Sequence, residues 1–149
     1  MRPLIAFLTV GYITAIFLLA ELPIVNKLLT FNPYSLLHIP LYGILTVLLF
    51  FSFFPIALQP NRPNDSTAQR QNKLVPQLPD NLMPRLLYVG IISSGVAIAD
   101  EIHQAYLPGR DASITDVFLD MIGIILIMLL IMLYYKKKRS RITNNLITH

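Results

Sequence analysis

Residues 100–120 read DEIHQAYLPGRDASITDVFLD and gather four Asp, a Glu, a His, a Gln and an Arg between two apolar runs. These residue types do acid–base chemistry. Paired carboxylates in a low dielectric do not ionise alike, so that one serves as general acid and another as base. Asp100, Glu101, His103 and Asp120 are the candidate catalytic groups. Arg110 carries a planar fork suited to a phosphate or carboxylate, and it is a candidate binding residue together with Gln104 and Asp116. At helical spacing Asp100, His103, Gln104 and Leu107 share one face, and Asp116, Asp120, Gly123 and Ile127 share a face of the next helix.

The elements that must hold these groups are membrane spans. The chain has 149 residues, 54% of them hydrophobic and only 13% charged, with a mean hydropathy of +0.59, outside the range of a soluble domain. A helix needs about 20 apolar residues to cross the hydrocarbon core, and four such stretches occur, at about 4–22, 34–58, 85–107 and 114–135. The third carries the polar residues, and it spans only if Asp100 to Gln104 enter the membrane with it. The expected fold is an all-α membrane protein, an antiparallel bundle of four transmembrane helices forming a single domain over residues 1–149. No internal repeat is visible, and the first span lacks the small-residue cleavage site of a secretory signal. The absence of cysteine removes disulfides, thiolate metal sites and a cysteine nucleophile.

Of the twelve basic residues, all but Lys27 and Arg110 fall at Arg2, in or beside the loop 59–84, and in the tail that begins KKKRSR at 136. Because basic loops stay on the cytoplasmic side, both termini, the linker 59–84 and the basic tail 136–149 are expected in the cytoplasm, in a multi-pass protein of the cell membrane. The tail is expected to rest on anionic headgroups. The linker is rich in Pro, Asn and Gln and reads as a segment without a fold of its own. Glu21, Asp100, Glu101, Asp111, Asp116 and Asp120 all fall on the opposite, extracytoplasmic side.

At about 1.5 Å per residue, Asp100 and Asp120 lie roughly 10 Å below the outer surface from opposite directions. The short PGRDAS connection makes their helices neighbours and lets the two carboxylates meet. Gly123 permits a close helix approach beneath them, as Ser93, Ser94 and Gly95 do near the middle of the third span. Glu101 points about 100° from Asp100, toward the first or second helix. His38 and Tyr42, one turn apart at the start of the second span, join the same layer as candidate binding residues. Ionisable groups at membrane depth cost about 2.5–3.5 kcal/mol each on insertion scales, so that such a cluster needs partners and marks a functional site.

Structural roles compete with each of these readings. Arg110 pairing with Asp100, Glu101 or Asp116 would make the cluster an ion network that locks two helices. Asp116 follows Ser113 in a Ser-x-x-Asp helix-start pattern and caps in that role. His38 alone reads first as a hydrogen-bonding group at a helix end, and Tyr42 and Tyr106 read as interfacial aromatics. The Phe-rich FFSFF at 50–54 is lipid-facing or packing. Asp100, His103 and Asp120, with His38, offer oxygen and imidazole donors of a kind that suits Zn, Mn or Mg. DEIHQ nevertheless lacks a recognised ligand spacing, so no metal site is expected, and no cofactor is specified.

The stretch DEIHQAYLPGRDASITDVFLDMIG resembles the signature of the VanZ-like membrane family, in which Asp-Glu-x-x-Gln-x-x-x-Pro-Gly-Arg is followed by two Asp and a Gly on the next helix. LLHIPLYGILTVLL looks like that family's second helix, with His38 and Tyr42 at the matching places. FNPYS stands where the family often has an acidic-basic pair, and AELP where it often has Ser-Ser-x-Pro, which points to a different ligand. The family takes its name from a protein associated with low-level resistance to the glycopeptide teicoplanin. The resemblance implies a cell-envelope role on the extracytoplasmic face, with membrane lipids and a lipid-linked or peptidoglycan-precursor ligand as partners. The competing expectation is a noncatalytic helical subunit of a larger membrane complex. Nucleic acid is not an expected partner, and ion translocation ranks last because the inner halves of the spans lack charges.

Overall fold

A computed structural model describes residues 2–21, 33–54, 82–108 and 112–147. It contains four α-helices, α1 (Arg2–Ala20), α2 (His38–Phe53), α3 (Leu82–Ala105) and α4 (Ile114–Ile147), with a 3-10 turn Pro33–Leu37 leading into α2. Each, α2 together with the end of the 3-10 turn, carries a stretch long and apolar enough to cross a membrane. Leu4, Phe7, Val10, Leu87, Ile91, Ile125, Leu129 and Leu133 are exposed on the outside of the bundle. Such a surface suits a hydrocarbon solvent, where helices satisfy their own backbone groups.

The helix limits follow local chemistry. Pro40 and Pro84 each occupy the third position of a helix, where the missing N–H would have had no intrahelical acceptor. α3 therefore starts at Leu82 rather than at Arg85, and the first part of it takes in Leu82 to Pro84 from the end of the expected linker. The rest of that linker, 59–81, lies outside the described residues, as do Pro55 and the last residues of the expected second span. α4 runs on past Tyr135 to Ile147 and draws most of the basic tail into the helix, in keeping with the good helix propensity of Lys and Arg.

α2 is the central element and packs on α1, α3 and α4. Its buried residues Tyr42, Gly43, Leu45, Thr46, Leu49 and Phe50 recur at helical spacing, and Ile16, Leu86, Val89, Ala97 and Ile124 close on them from the other helices. Hydroxyl groups tie the helices together. Thr9 Oγ1 lies 2.7 Å from Ser52 Oγ, Tyr12 donates to the Leu41 carbonyl at 3.0 Å, and Thr46 Oγ1 lies 3.2 Å from Ser93 Oγ. Such contacts replace the hydrophobic drive that lipid does not supply. Phe50 is a core residue whereas Phe53 is exposed, so the aromatic run divides between packing and lipid.

Small residues set the approach of α2 and α4. A Cβ on Gly43 would meet Ile127 Cγ1 at 3.2 Å, and a Cβ on Gly123 would overlap the Ile39 carbonyl. Gly123 does allow a close approach, but its neighbour is α2 and not the sequence-adjacent α3. Gly95 has open space around it, so of the trio in the middle of α3 it is the two serines that meet other helices, Ser93 at Thr46 and Ser94 at Met121 Sδ, 3.4 Å away. Gly123→Ala is expected to separate α2 from α4 and cost about 1–3 kcal/mol, the range for overpacking, while Gly95→Ala is neutral. Thermal unfolding of both variants in the same detergent measures the difference.

Candidate functional site

The polar groups collect where α1 and α3 end and α2 and α4 begin. Along the last turns of α3, Asp100, Glu101 and Gln104 are buried, and Asp120 in the second turn of α4 is fully enclosed. The donors they need come largely from α2. Tyr42 donates its hydroxyl to Asp100 Oδ2 at 3.2 Å, and Gln104 Nε2 reaches the same oxygen at 3.1 Å. His38 Nδ1 lies 2.8 Å from Asp120 Oδ1. The His38 and Tyr42 rings are stacked, with centroids 6.3 Å apart. Asp100 and Asp120 thus share a layer, as their depths imply, but among the described contacts they are joined through α2 rather than by touching each other.

The start of α4 is built differently from what Ser-x-x-Asp suggests. Ser113 Oγ accepts the Asp116 N–H at 3.3 Å, which is the first half of a capping box. The second half would have Asp116 accept the Ser113 N–H. That donor goes instead to Glu101 Oε2 of α3, at 2.8 Å. Glu101 therefore faces the N-terminus of α4, where backbone N–H groups lack partners, and one of its oxygens also lies within 4.8 Å of a ring nitrogen of His38 at the start of α2. Its other oxygen lies 3.5 Å from Gln104 Nε2. The exchange releases the Asp116 side chain from capping, and Asp116 Oδ1 is buried with no hydrogen-bond partner among the described residues.

His103 is drawn away from the group. Its ring meets Phe17 edge-on at 5.4 Å, and its Nε2 lies 3.9 Å from Glu21 Oε1, so that this candidate faces α1 while Asp100 and Gln104 on nearly the same face turn inward. Arg110, Gly109 and Asp111 lie outside the described residues. Tyr106 is exposed, as expected for an interfacial aromatic, whereas Tyr42 is wholly buried. Thr46 is the participant that the sequence reading passed over. It sits one turn below Tyr42, donates to the Tyr42 carbonyl at 2.8 Å and extends the polar column toward Ser93. Its position four residues after Tyr42 and eight after His38 was the available signal.

Four carboxylates, Asp100, Glu101, Asp116 and Asp120, thus stand within electrostatic reach of His38 and of one another. Asp100 Oδ1 and Asp120 Oδ2, like Asp116 Oδ1, are buried acceptors with no hydrogen-bond partner among the described residues. Beneath this layer a groove of about 380 Å³ runs between α2 and α4, lined by Ile39, Gly43, Ile44, Val47, Gly123 and Ile127 among others. A second, of about 340 Å³, shares Val47 and Ile127 and ends at Tyr134 and Tyr135.

Comparison with known proteins returns one family. The family model described as VanZ/LLP1 matches residues 7–135, a range that includes every residue of the layer from His38 to Asp120. No curated protein and no solved structure matches the chain.

Tyr42→Phe keeps the ring and removes one of the two donors to Asp100 Oδ2. The expected loss is about 1–3 kcal/mol, the usual consequence of leaving a buried acceptor short of a donor. It is checked by the apparent melting temperature in detergent, with exposed Tyr106→Phe as the silent control.

Proposed function

The chain is a multi-pass membrane protein that belongs to the VanZ/LLP1 family, and from that premise we propose that it binds or acts on a cell-envelope lipid or peptidoglycan-related precursor at the outer face of the membrane. The observation that carries this reading is the meeting of a polar layer and an apolar groove. The groove lined by Ile39, Gly43 and Gly123 begins one residue after His38 and three after Asp120. An amphipathic ligand has the matching shape, its headgroup among the carboxylates and His38 and its chain between α2 and α4.

In this reading the helices form an antiparallel bundle with both termini in the cytoplasm, which the distribution of Lys and Arg supports. The layer then opens to the extracytoplasmic side, where lipid-linked sugars and peptidoglycan precursors present phosphate and carboxylate groups. Arg110, which follows α3 in the sequence, takes the anion, while Gln104 and Tyr42 fix the carboxylate of Asp100. Asp100, Glu101 and Asp120 supply the acid and base of any reaction at the headgroup. FNPYS and AELP depart from the family pattern, so that the ligand differs from the one served in teicoplanin resistance while remaining an envelope molecule.

Asp100→Asn, Glu101→Gln and Asp120→Asn are expected to insert at wild-type levels and to lose the envelope phenotype, read as glycopeptide sensitivity of cells that depend on the protein. A bulky Val47→Trp change, which fills the groove without touching the layer, is expected to lose it as well. If all four insert normally and the phenotype is unmoved, the reading fails. Copurification at fixed stoichiometry with a large membrane assembly would favour a subunit role instead.

Orientation is checked separately. Reporter fusions after Lys136 and within 59–81 are expected to report cytoplasm, and fusions within 22–32 the opposite side. The reverse result would turn the polar layer toward the cytoplasm.

A further inference from the structure

We propose that His38, Glu101 and Asp116 form a binding site for one divalent transition-metal ion, manganese or zinc. One ligand atom from each of the three lies within 4.8 Å of the others, and each residue comes from a different helix, α2, α3 and α4. Bonds from a first-row ion to nitrogen and oxygen are about 2.0–2.2 Å, so three ligands of one ion stand roughly 3.0–3.6 Å apart. Atoms within 4.8 Å of one another reach that spacing by small side-chain rotations. An imidazole with two carboxylates is a donor set for zinc or manganese rather than for calcium, which takes oxygen alone.

The surroundings of the three residues are those of ligands held in place. Asp120 Oδ1 holds His38 Nδ1 at 2.8 Å, which leaves Nε2 as the coordinating nitrogen. A carboxylate behind an imidazole in this way fixes its tautomer and orientation. Glu101 is positioned by the Ser113 N–H and by Gln104. Asp116, relieved of capping, keeps a buried oxygen with no partner among the described residues.

A second observation points to a cation in the same polar layer. Asp120 is fully buried and Asp100 is 2% exposed, yet Asp120 Oδ2 and Asp100 Oδ1 have no donor among the described residues. Buried acceptors without donors are rare and unfavourable, and among the described residues the groups that could offset the charge of the four carboxylates are the imidazoles of His38 and His103. The ligand set is not the one that the sequence suggests, because His103 turns to Glu21 while Asp116, which reads as a cap, is freed. Three ligands at positions 38, 101 and 116 leave no local spacing motif. The site does not rest on the envelope-ligand reading and is measurable without any such ligand.

The full-length chain, purified in detergent and stripped with a chelator, is titrated with manganese chloride and with zinc chloride by calorimetry. Bound metal is counted by mass spectrometry after gel filtration, and the manganese sample is read by electron paramagnetic resonance. About one ion per chain is expected. His38→Ala and Asp116→Asn are each expected to weaken it at least tenfold, and Asp120→Asn, which removes the support of His38, about 10–100-fold. His103→Ala, which removes an imidazole of the same layer, is expected to bind as the wild type does. Helical circular dichroism and the elution volume establish that each variant is folded. A folded wild type that holds no stoichiometric ion overturns the proposal, as does equal binding by His38→Ala and Asp116→Asn. Binding that appears only in Arg110→Gln overturns it too, since the guanidinium would then occupy the cation's place.

Discussion

The contact on which the rest of the structure depends is His38 Nδ1 against Asp120 Oδ1, at 2.8 Å between α2 and α4. A carboxylate fully enclosed at membrane depth is tolerated only with a partner, and Asp120 has no exposed surface through which water could serve. The pair therefore fixes how far α4 slides along α2. One turn away, Tyr42 meets Asp100 and fixes α3 on the same helix. Below the polar contacts, Gly123 lies so close to the Ile39 backbone that any side chain would collide. An attraction at one level and a close approach just beneath it set the same register, which explains why α2 is the helix that organises the site.

Hydrophobic run length marked the four spans, and the type of residue marked the layer. Asp100, Glu101, Gln104, Asp116, Asp120, His38 and Tyr42 do gather at one end of the bundle, because helical rise converts sequence distance into depth without any knowledge of packing. Which helix each group meets is a different kind of information. Gly123 approaches α2 rather than α3, and Glu101 accepts its hydrogen bond from the start of α4. Both depend on azimuthal packing, which the uniformly apolar surroundings of a membrane helix do not encode: a helix that is apolar all round carries little periodic signal for its buried face. His103 shows the same limit at finer scale. It is three residues from Asp100, yet the available edge of Phe17 and the Glu21 carboxylate draw it toward α1.

The apolar grooves between α2 and α4 have the same origin as the close packing. Gly43 and Gly123 remove side-chain volume on facing sides, so the helices touch along their backbones and leave a cleft beside the line of contact, bordered by Ile44, Val47 and Leu126. One pair of glycines thus brings His38 to Asp120 and opens an apolar channel directly below them. An amphipathic ligand needs both features at adjacent depths, and a helix pair with larger residues at those positions would supply neither.

The four carboxylates are not equivalent, and their hydrogen bonds separate their roles. Asp100 Oδ2 accepts from both Tyr42 and Gln104, which makes that side of the group a positioned acceptor with little freedom. Glu101 spends one oxygen on the Ser113 N–H and so couples the end of α3 to the first turn of α4. Asp120 spends one oxygen on His38. Asp116 alone is half-buried and committed to no other side chain in the described contacts, because Glu101 has taken over the capping bond that its sequence position implies. A group held by two donors gains little by moving toward a ligand, whereas one with a vacant acceptor and a short side chain at a helix start gains a great deal. On the reading proposed above, Asp100 shapes the layer while Asp116, with the far side of His38, meets what enters it. The displacement of a capping bond from Asp116 to Glu101 is what makes that division available to this chain.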